Sequence, residues 1–223
     1  MRRADPAVAK AGAARRGRPS QREDRVEQAL DAAARVLNAD GLTNASLDAV
    51  ADALGVTKSA LYYYFGSKEE LVYKSYLRAC QVGCANVAAA AAGPGSGRDR
   101  LIDYVRRQLD PGNPPVAFVG EIDFLAPGHA DEIRDYARRH NHALLSILQA
   151  GVADGSLDAP DVGLVNLDIV GAMNWILVWL RPEEGSLALE AVAEAYLDVF
   201  LNGLRPPGPK PAGGWPPPVR LEA

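Results

Sequence analysis

Residues 46–70 read SLDAVADALGVTKSALYYYFGSKEE, and this stretch decides the fold. Ser46 is placed to cap a short helix carrying Leu47, Val50, Ala51 and Leu54. Gly55 breaks that helix, Thr57 can cap a second one from Lys58 to Phe65, and Gly66 stops it. Two short helices joined by a glycine-containing turn give helix-turn-helix geometry, in which the second helix enters the major groove and the first braces it. Val50, Leu54, Val56, Leu61 and Phe65 supply packing between the two. Thr57, Lys58, Ser59, Tyr62, Tyr63 and Tyr64 are left at the start and on the outer face of the second helix. Hydroxyls and a lysine at a helix N-terminus suit phosphate oxygens, with the helix dipole adding attraction. A tyrosine ring can pack on sugar or a thymine methyl while its hydroxyl reaches phosphate. Other readings stay open for single side chains: Tyr62 or Tyr64 as partly packing residues, Lys58 as a solvated charge.

Working outward, the whole chain between its tails has helical periodicity and no convincing alternating strand. Ser20 and Glu23 have capping-box spacing, and Val26, Leu30, Ala33, Ala34 and Leu37 follow as one apolar stripe. Gly41 suits a left-handed C-cap. Ser67 and Glu70 form a second capping-box spacing. It opens a long helix through Leu71, Leu77 and the alanine tract 88–92, ended by Gly93-Pro94-Gly95-Ser96-Gly97. The boundary between two functional units is expected within or near this helix. Beyond it, Leu101, Ile102, Val105 and Leu109 mark one helix, and a short apolar segment spans Val116 to Leu125. Ile133 through Leu148 mark a longer helix, another runs from about Asp161 to Arg181, and Leu189 to Phe200 mark the last. The expected division is a disordered basic arm over 1–19, a helix-turn-helix domain over 20–80, a helical ligand-binding and dimerisation domain over 81–205, and a disordered tail over 206–223. That tail holds seven prolines and three glycines. The fold class is all-α.

The 223 residues carry a net charge of -4, which taken whole argues against nucleic acid. Residues 1–80 hold 13 Lys/Arg against 10 Asp/Glu, whereas 81–223 hold 11 against 18. The positive surplus sits on the half that carries the helix-turn-helix. Within it, residues 1–22 alone hold seven Lys/Arg against one Asp. The arm has two readings, a phosphate-seeking segment or an inert solubilising tail. Cys80 and Cys84, the chain's two cysteines, are too few for a disulfide framework, and no apolar core of a signal peptide follows the basic N-terminus. A cytoplasmic protein is expected. The apolar run Val162–Leu180 is interrupted by Asn166, Asp168 and Asn174, so it reads as a buried helix rather than a membrane span.

The run Leu47-x-x-Val50-Ala51-x-x-Leu54-Gly55-Val56-Thr57-Lys58-x-x-Leu61-Tyr62-x-Tyr64-Phe65-x-x-Lys68-Glu69-x-Leu71 resembles the DNA-binding domain of the TetR family over about residues 20–80. The resemblance implies an all-helical homodimer that binds a palindromic operator, usually as a repressor released by a small ligand. Carried over by position, Ser46, Thr57, Lys58, Ser59, Tyr62, Tyr63, Tyr64 and Lys68 fall where the family contacts DNA. Arg16-Gly17-Arg18-Pro19 is similar to arms that reach phosphates or the minor groove.

The resemblance also implies that the last two helices pair with a partner's copies, leaving the other side of the Asp161–Arg181 helix to an internal cavity. That helix is apolar almost all round and must be covered on all sides. The segment Gly171-Ala172-Met173-Asn174-Trp175-x-x-x-Trp179-x-Arg181-Pro182-x-x-Gly185 is similar to a branch that senses fatty-acyl or steroid-derived CoA thioesters. It departs from that branch at Leu180 and at Glu183-Glu184. An acyl chain needs an apolar tunnel and a CoA phosphate a cation at the mouth. Trp175 and Trp179 at i, i+4 could wall the tunnel and Arg181 sit at its mouth, with Asn174 in the same segment. Tyr104, Phe118, Phe124 and Leu148 are further wall candidates. The two tryptophans read equally well as core or interface residues, and a drug-like or aromatic effector is the alternative ligand.

Other chemistry finds little footing. His140 and His142 point to different helix faces, and His140 lies on the apolar stripe as a core histidine would. Cys80 and Cys84 share a face but have no third ligand nearby and read as small buried residues. No metal, cofactor or catalytic residue is expected, because no nucleophile-base order, phosphate loop or nucleotide-binding glycine motif is present. A sequence-neutral DNA-binding scaffold is the alternative function.

Overall fold

A computed structural model describes residues 21–159, 161–180 and 188–203. The described residues form eight α-helices and no strand. They are α1 (Gln21–Asn44), α2 (Leu47–Leu54), α3 (Lys58–Tyr64), α4 (Lys68–Ala91), α5 (Gly97–Gln108), α6 (Pro127–Ala153), α7 (Val162–Trp179) and α8 (Leu189–Asn202), with a 3-10 turn at Ile122–Phe124 before α6. Ser20, the basic arm, Arg181 and the proline-rich tail lie outside the described residues.

Side-chain caps set most helix starts. Ser46 Oγ accepts from Ala49 N and Thr57 Oγ1 from Ala60 N; each satisfies one of the four amides that a helix start leaves unpaired. Ser67 Oγ accepts from Glu70 N, but the Glu70 carboxylate takes the Gly66 amide instead of the cap residue's own. The full reciprocal box forms at α5, between Ser96 and Asp99. Gly55 ends α2 in the left-handed conformation at φ 65°, which costs a glycine nothing. Gly41, at φ 72°, interrupts α1 near its end.

Three apolar clusters divide the interior. The first joins α1, α2 and α3 through Leu30, Ala33, Leu47, Val50, Leu61 and Phe65. The third fills the C-terminal helices around Tyr104, Val105, Leu144, Leu148, Ile169 and Ile176. Between them lies a junction core of Leu37 and Leu42 from α1, Val72 and Tyr76 from α4, Ala117 and Leu125 from the connecting segment, and Ile133 from α6. The apolar segment Val116–Leu125 is thus a loop ending in the short 3-10 turn, and it plugs this junction. Its backbone is held by side chains of the neighbouring helices. Asn38 donates Nδ2 to Val116 O (2.9 Å) and accepts from Phe118 N (2.7 Å). Arg78 on α4, whose side chain is 10% exposed, donates to Pro115 O and pairs with Glu27 (3.1 Å) and Asp31 (2.8 Å) of α1. α4 runs unbroken from the first cluster to the third, so residue 80 is a mid-helix position.

α5 crosses α6 at glycine on glycine. A methyl at Gly97 would lie 2.1 Å from Gly151 N. The Gly97 amide donates to Asp154 Oδ2 at 2.8 Å, fixing the crossing.

Candidate functional site

The fold presents α3 at one end, braced by α2 and by the start of α1. Leu61 and Phe65 are fully buried and orient α3; each such side chain contributes about 1.5–3 kcal/mol of transfer free energy. With that inward face fixed, the helical period turns Ser59, Tyr62 and Tyr63 outward, and Thr57 and Lys58 sit exposed at its start. Tyr63 is 73% exposed. Tyr64 is half-buried and packs on the first cluster, meeting Tyr63 edge-on at 5.3 Å. The three tyrosines therefore divide: two project, one anchors.

Ser46 and Thr57 spend their oxygens on helix caps, so what they can offer outward is the hydroxyl proton. Lys58 Nζ lies 2.7 Å from Asp48 Oδ2, strapping α3 to α2, and that hydrogen bond holds its pKa above the usual value. Exposed pairs of this kind cost little to open, so the ammonium can exchange Asp48 for a phosphate. Lys68 is turned the other way. It donates to Leu42 O at 2.7 Å and lies 5.7 Å from the Phe124 ring centroid, within the junction. The Arg22 guanidinium stands 6.0 Å from the Tyr63 ring centroid, with Arg25 beside it in a shallow, polar groove that Tyr63 and Tyr64 complete. Sequence reasoning passed over Arg22 and Arg25. The available signal was two arginines near the start of the helix that packs behind α3. The resulting face offers hydroxyls, aromatic rings and cations on a protruding helix, the chemistry of phosphate positioning and groove readout.

The candidate effector residues fall into three environments. Tyr104 and Leu148 are fully buried in the C-terminal core, and the Tyr104 hydroxyl lies 3.2 Å from His140 Nε2. Burial pushes the Tyr104 phenol up and the His140 imidazolium down, so this pair is neutral. Trp179 is half-buried against the same core and bonded to Tyr196. Asn174 and Trp175 are exposed, and Trp175 meets the Phe118 ring edge-on at 6.2 Å. Phe124 is exposed beneath Lys68. An i, i+4 pair shares a stripe, but here the stripe straddles the edge of the buried face, so the two tryptophans part company. Burial pushes the Cys80 thiol up to about 12 and raises Cys84 as well, whose Sγ donates to Tyr136 O. Both are protonated thiols, weak as nucleophiles or ligands.

A braced, projecting recognition helix on an all-helical body with a second, separate core defines a helix-turn-helix DNA-binding protein with a helical effector module. Residues 29–73 match the model of the tetR family of bacterial regulatory proteins, and residues 98–204 match a tetracyclin repressor-like C-terminal domain. The transcriptional repressor KstR2 of Rhodococcus jostii is 28% identical over 198 residues, covering 84% of this chain and 95% of that protein. KstR2 of Mycolicibacterium smegmatis is 27% identical over 211 residues, covering 83% and 93%. The crystal structure of the TetR-family regulator PfmR from Thermus thermophilus is similar with a TM-score of 0.64 and 32% identity, covering 80% of this chain and 99% of that one. The chain belongs to the TetR family of transcriptional regulators. It is a ligand-responsive DNA-binding repressor rather than an enzyme, and its partners are operator DNA and a small-molecule effector.

Proposed function

We propose that this repressor works as a homodimer that places two copies of α3 on a palindromic operator and lets go when an apolar effector, of the acyl-CoA thioester class, binds. The observation that carries the dimer is the outer face of α7. Leu164, Leu167 and Trp175 are 60%, 59% and 57% exposed there, and Gly171 between them has nothing within 4 Å of a would-be Cβ. The spacing 164, 167, 171, 175 and 178 is that of a helix-packing seam. Val199 of α8 adds an exposed apolar residue on the neighbouring helix. α7 is also long and apolar enough to cross a membrane, with mean hydropathy 1.5 and 22% of its length buried. Buried Asn166 and exposed Asp168 on that helix favour a protein partner over lipid. A second copy covers the seam isologously.

In the dimer the two α3 helices stand about 34–36 Å apart, one DNA turn. Thr57, Lys58, Ser59, Tyr62 and Tyr63 make the direct contacts, Ser46 and Tyr64 position the helix, and Lys68 contributes only on leaving Leu42. The division of labour runs along α4, with DNA contacts before about residue 80 and effector and dimer functions after it. The resemblance of the Gly171–Gly185 segment to CoA-thioester sensors supports the effector class. Repression requires DNA in the same compartment, so the protein acts in the cytoplasm. Sedimentation of the wild type against Leu164→Glu/Leu167→Glu tests the dimer. The wild type should sediment as two chains and the variant as one, with operator affinity lost. A monomeric wild type that still binds a palindrome tightly overturns it.

A further inference from the structure

A cavity of about 470 Å3 opens at the junction of the two halves; it touches the expected helix at Ile176–Leu180, but none of the side chains that the sequence singled out for an effector lines it among the described residues. Its floor is α1, through Arg35, Asn38 and Ala39. One wall is the chain after α5, where Pro111, Pro114, Pro115 and Val116 stand in a row; the facing wall is the end of α7, from Ile176 to Leu180. The lining is mainly apolar, with the amides of Asn38, Gln108 and Asn113 and the charged Arg35 and Asp110 as its polar groups. The size falls in the range of about 300–1,000 Å3 typical of small-molecule sites.

The wall is preformed. Three prolines fix φ along it, Gly112 N donates to Asp110 Oδ1, and Asn113 Nδ2 donates to Arg107 O. It is tied to the DNA-binding half by the Asn38 clamp on Val116 and Phe118 and by the Arg78 bond to Pro115 O. Asn38 and Val116 are thus both lining and latch. A guest that presses on this wall acts on α1 directly through Asn38, and through Arg78, which joins Pro115 O to Glu27 and Asp31 of α1.

We propose that this junction cavity is the effector site, that it takes an acyl or alicyclic hydrocarbon group carrying a carbonyl or hydroxyl oxygen, and that Asn38 transmits its occupancy to α1. The hydrocarbon lies between the proline wall and α7, and the oxygen meets the amides of Asn38 or Gln108. For a CoA thioester only the acyl part is enclosed. The proposal rests on the repressor reading above, and deepens it by naming the site. A guest shifts the equilibrium only by its preference for the conformer in which the wall and α1 have parted.

The test fills the cavity from opposite sides. Ala39→Phe and Leu177→Trp each replace a lining residue that is exposed or half-exposed; melting and operator gel shifts check that both fold and bind DNA. Octanoyl-CoA and 1-anilinonaphthalene-8-sulfonate serve as probes, by calorimetry and fluorescence. Both filled variants should bind either probe at least about tenfold more weakly than wild type, as overpacking of a filled site demands. If the sulfonate dye binds and is lost in the filled variants while octanoyl-CoA never binds, the cavity stands and the thioester reading falls. If octanoyl-CoA releases operator equally from wild type and filled variants, the cavity is overturned and the thioester reading survives. Failure of both probes to bind wild type also overturns the cavity. Asn38→Ala should release less DNA than wild type at the same octanoyl-CoA occupancy, with occupancy taken from calorimetry on each protein; release that tracks occupancy as in wild type removes Asn38 from the coupling.

Discussion

Arg78 joins α4 to α1 and to the chain after α5, and replacing it with Met tests how much those contacts stabilise the fold. Methionine keeps most of the apolar stem and deletes the guanidinium. Its bonds to three residues go. The Glu27 carboxylate is mostly solvent-exposed, so its share is at most about 1 kcal/mol. Asp31 is about one-third exposed, at 2.8 Å, and is left as a partly buried charge without its partner. Full burial would cost about 3–5 kcal/mol, so partial hydration leaves roughly 1–1.5. The Pro115 carbonyl loses its donor, for about 1 kcal/mol. The sum is about 2–3 kcal/mol, which for a chain of this size lowers Tm by roughly 4–12 °C. Urea unfolding at fixed protein concentration measures it, since dimerisation makes the midpoint concentration-dependent. Asp31→Asn in the Arg78→Met background should recover about 1 kcal/mol, whereas Glu27→Gln should recover little. A loss below about 0.5 kcal/mol for Arg78→Met, or equal recoveries from the two acids, would refute the reasoning.

Three other outcomes follow from the same structure. Tyr63→Ala should weaken operator binding by about 1–3 kcal/mol, the value of a good groove contact, with Tm nearly unchanged, because the side chain is largely exposed and meets Tyr64 edge-on at the surface; parallel gel shifts and melts decide. Gly97→Ala should lower stability by at least about 1–3 kcal/mol, since its methyl would sit 2.1 Å from Gly151 N, whereas Gly171→Ala has nothing within 4 Å in one chain and should leave monomer stability alone while perturbing the dimer. Burial holds His140 neutral in the fold, below its usual 6.5. The unfolded chain therefore binds the extra proton, and stability should fall as pH drops from about 7 toward 5. His140→Gln should flatten that slope in urea titrations at each pH, and an unchanged slope would place its origin elsewhere.

The helix-turn-helix was legible because its determinants are local: Ser46 and Thr57 cap, Gly55 turns left-handed, and the period of Leu61 and Phe65 dictates what faces out. The junction was not. Val116–Leu125 has the composition of a helix or core segment, and contacts distant in sequence, such as those of Asn38 78 and 80 residues away, decide its course. The effector candidates were chosen by type and spacing, which cannot say on which side of a helix's burial boundary a stripe falls. Trp175 outside and Trp179 half-inside show the consequence. The net charge of -4 was likewise a sum over parts that face different partners.

The central claim is that a dimer reads one symmetric site and an effector releases it. The most direct measurement is a footprint on sites selected from genomic DNA by the purified protein, with stoichiometry from sedimentation of the complex. Two chains should occupy one palindrome, half-sites about one helical turn apart, and the footprint should be lost with effector. Protection that spreads without sequence preference and collapses steeply with salt would contradict it and point to a scaffold.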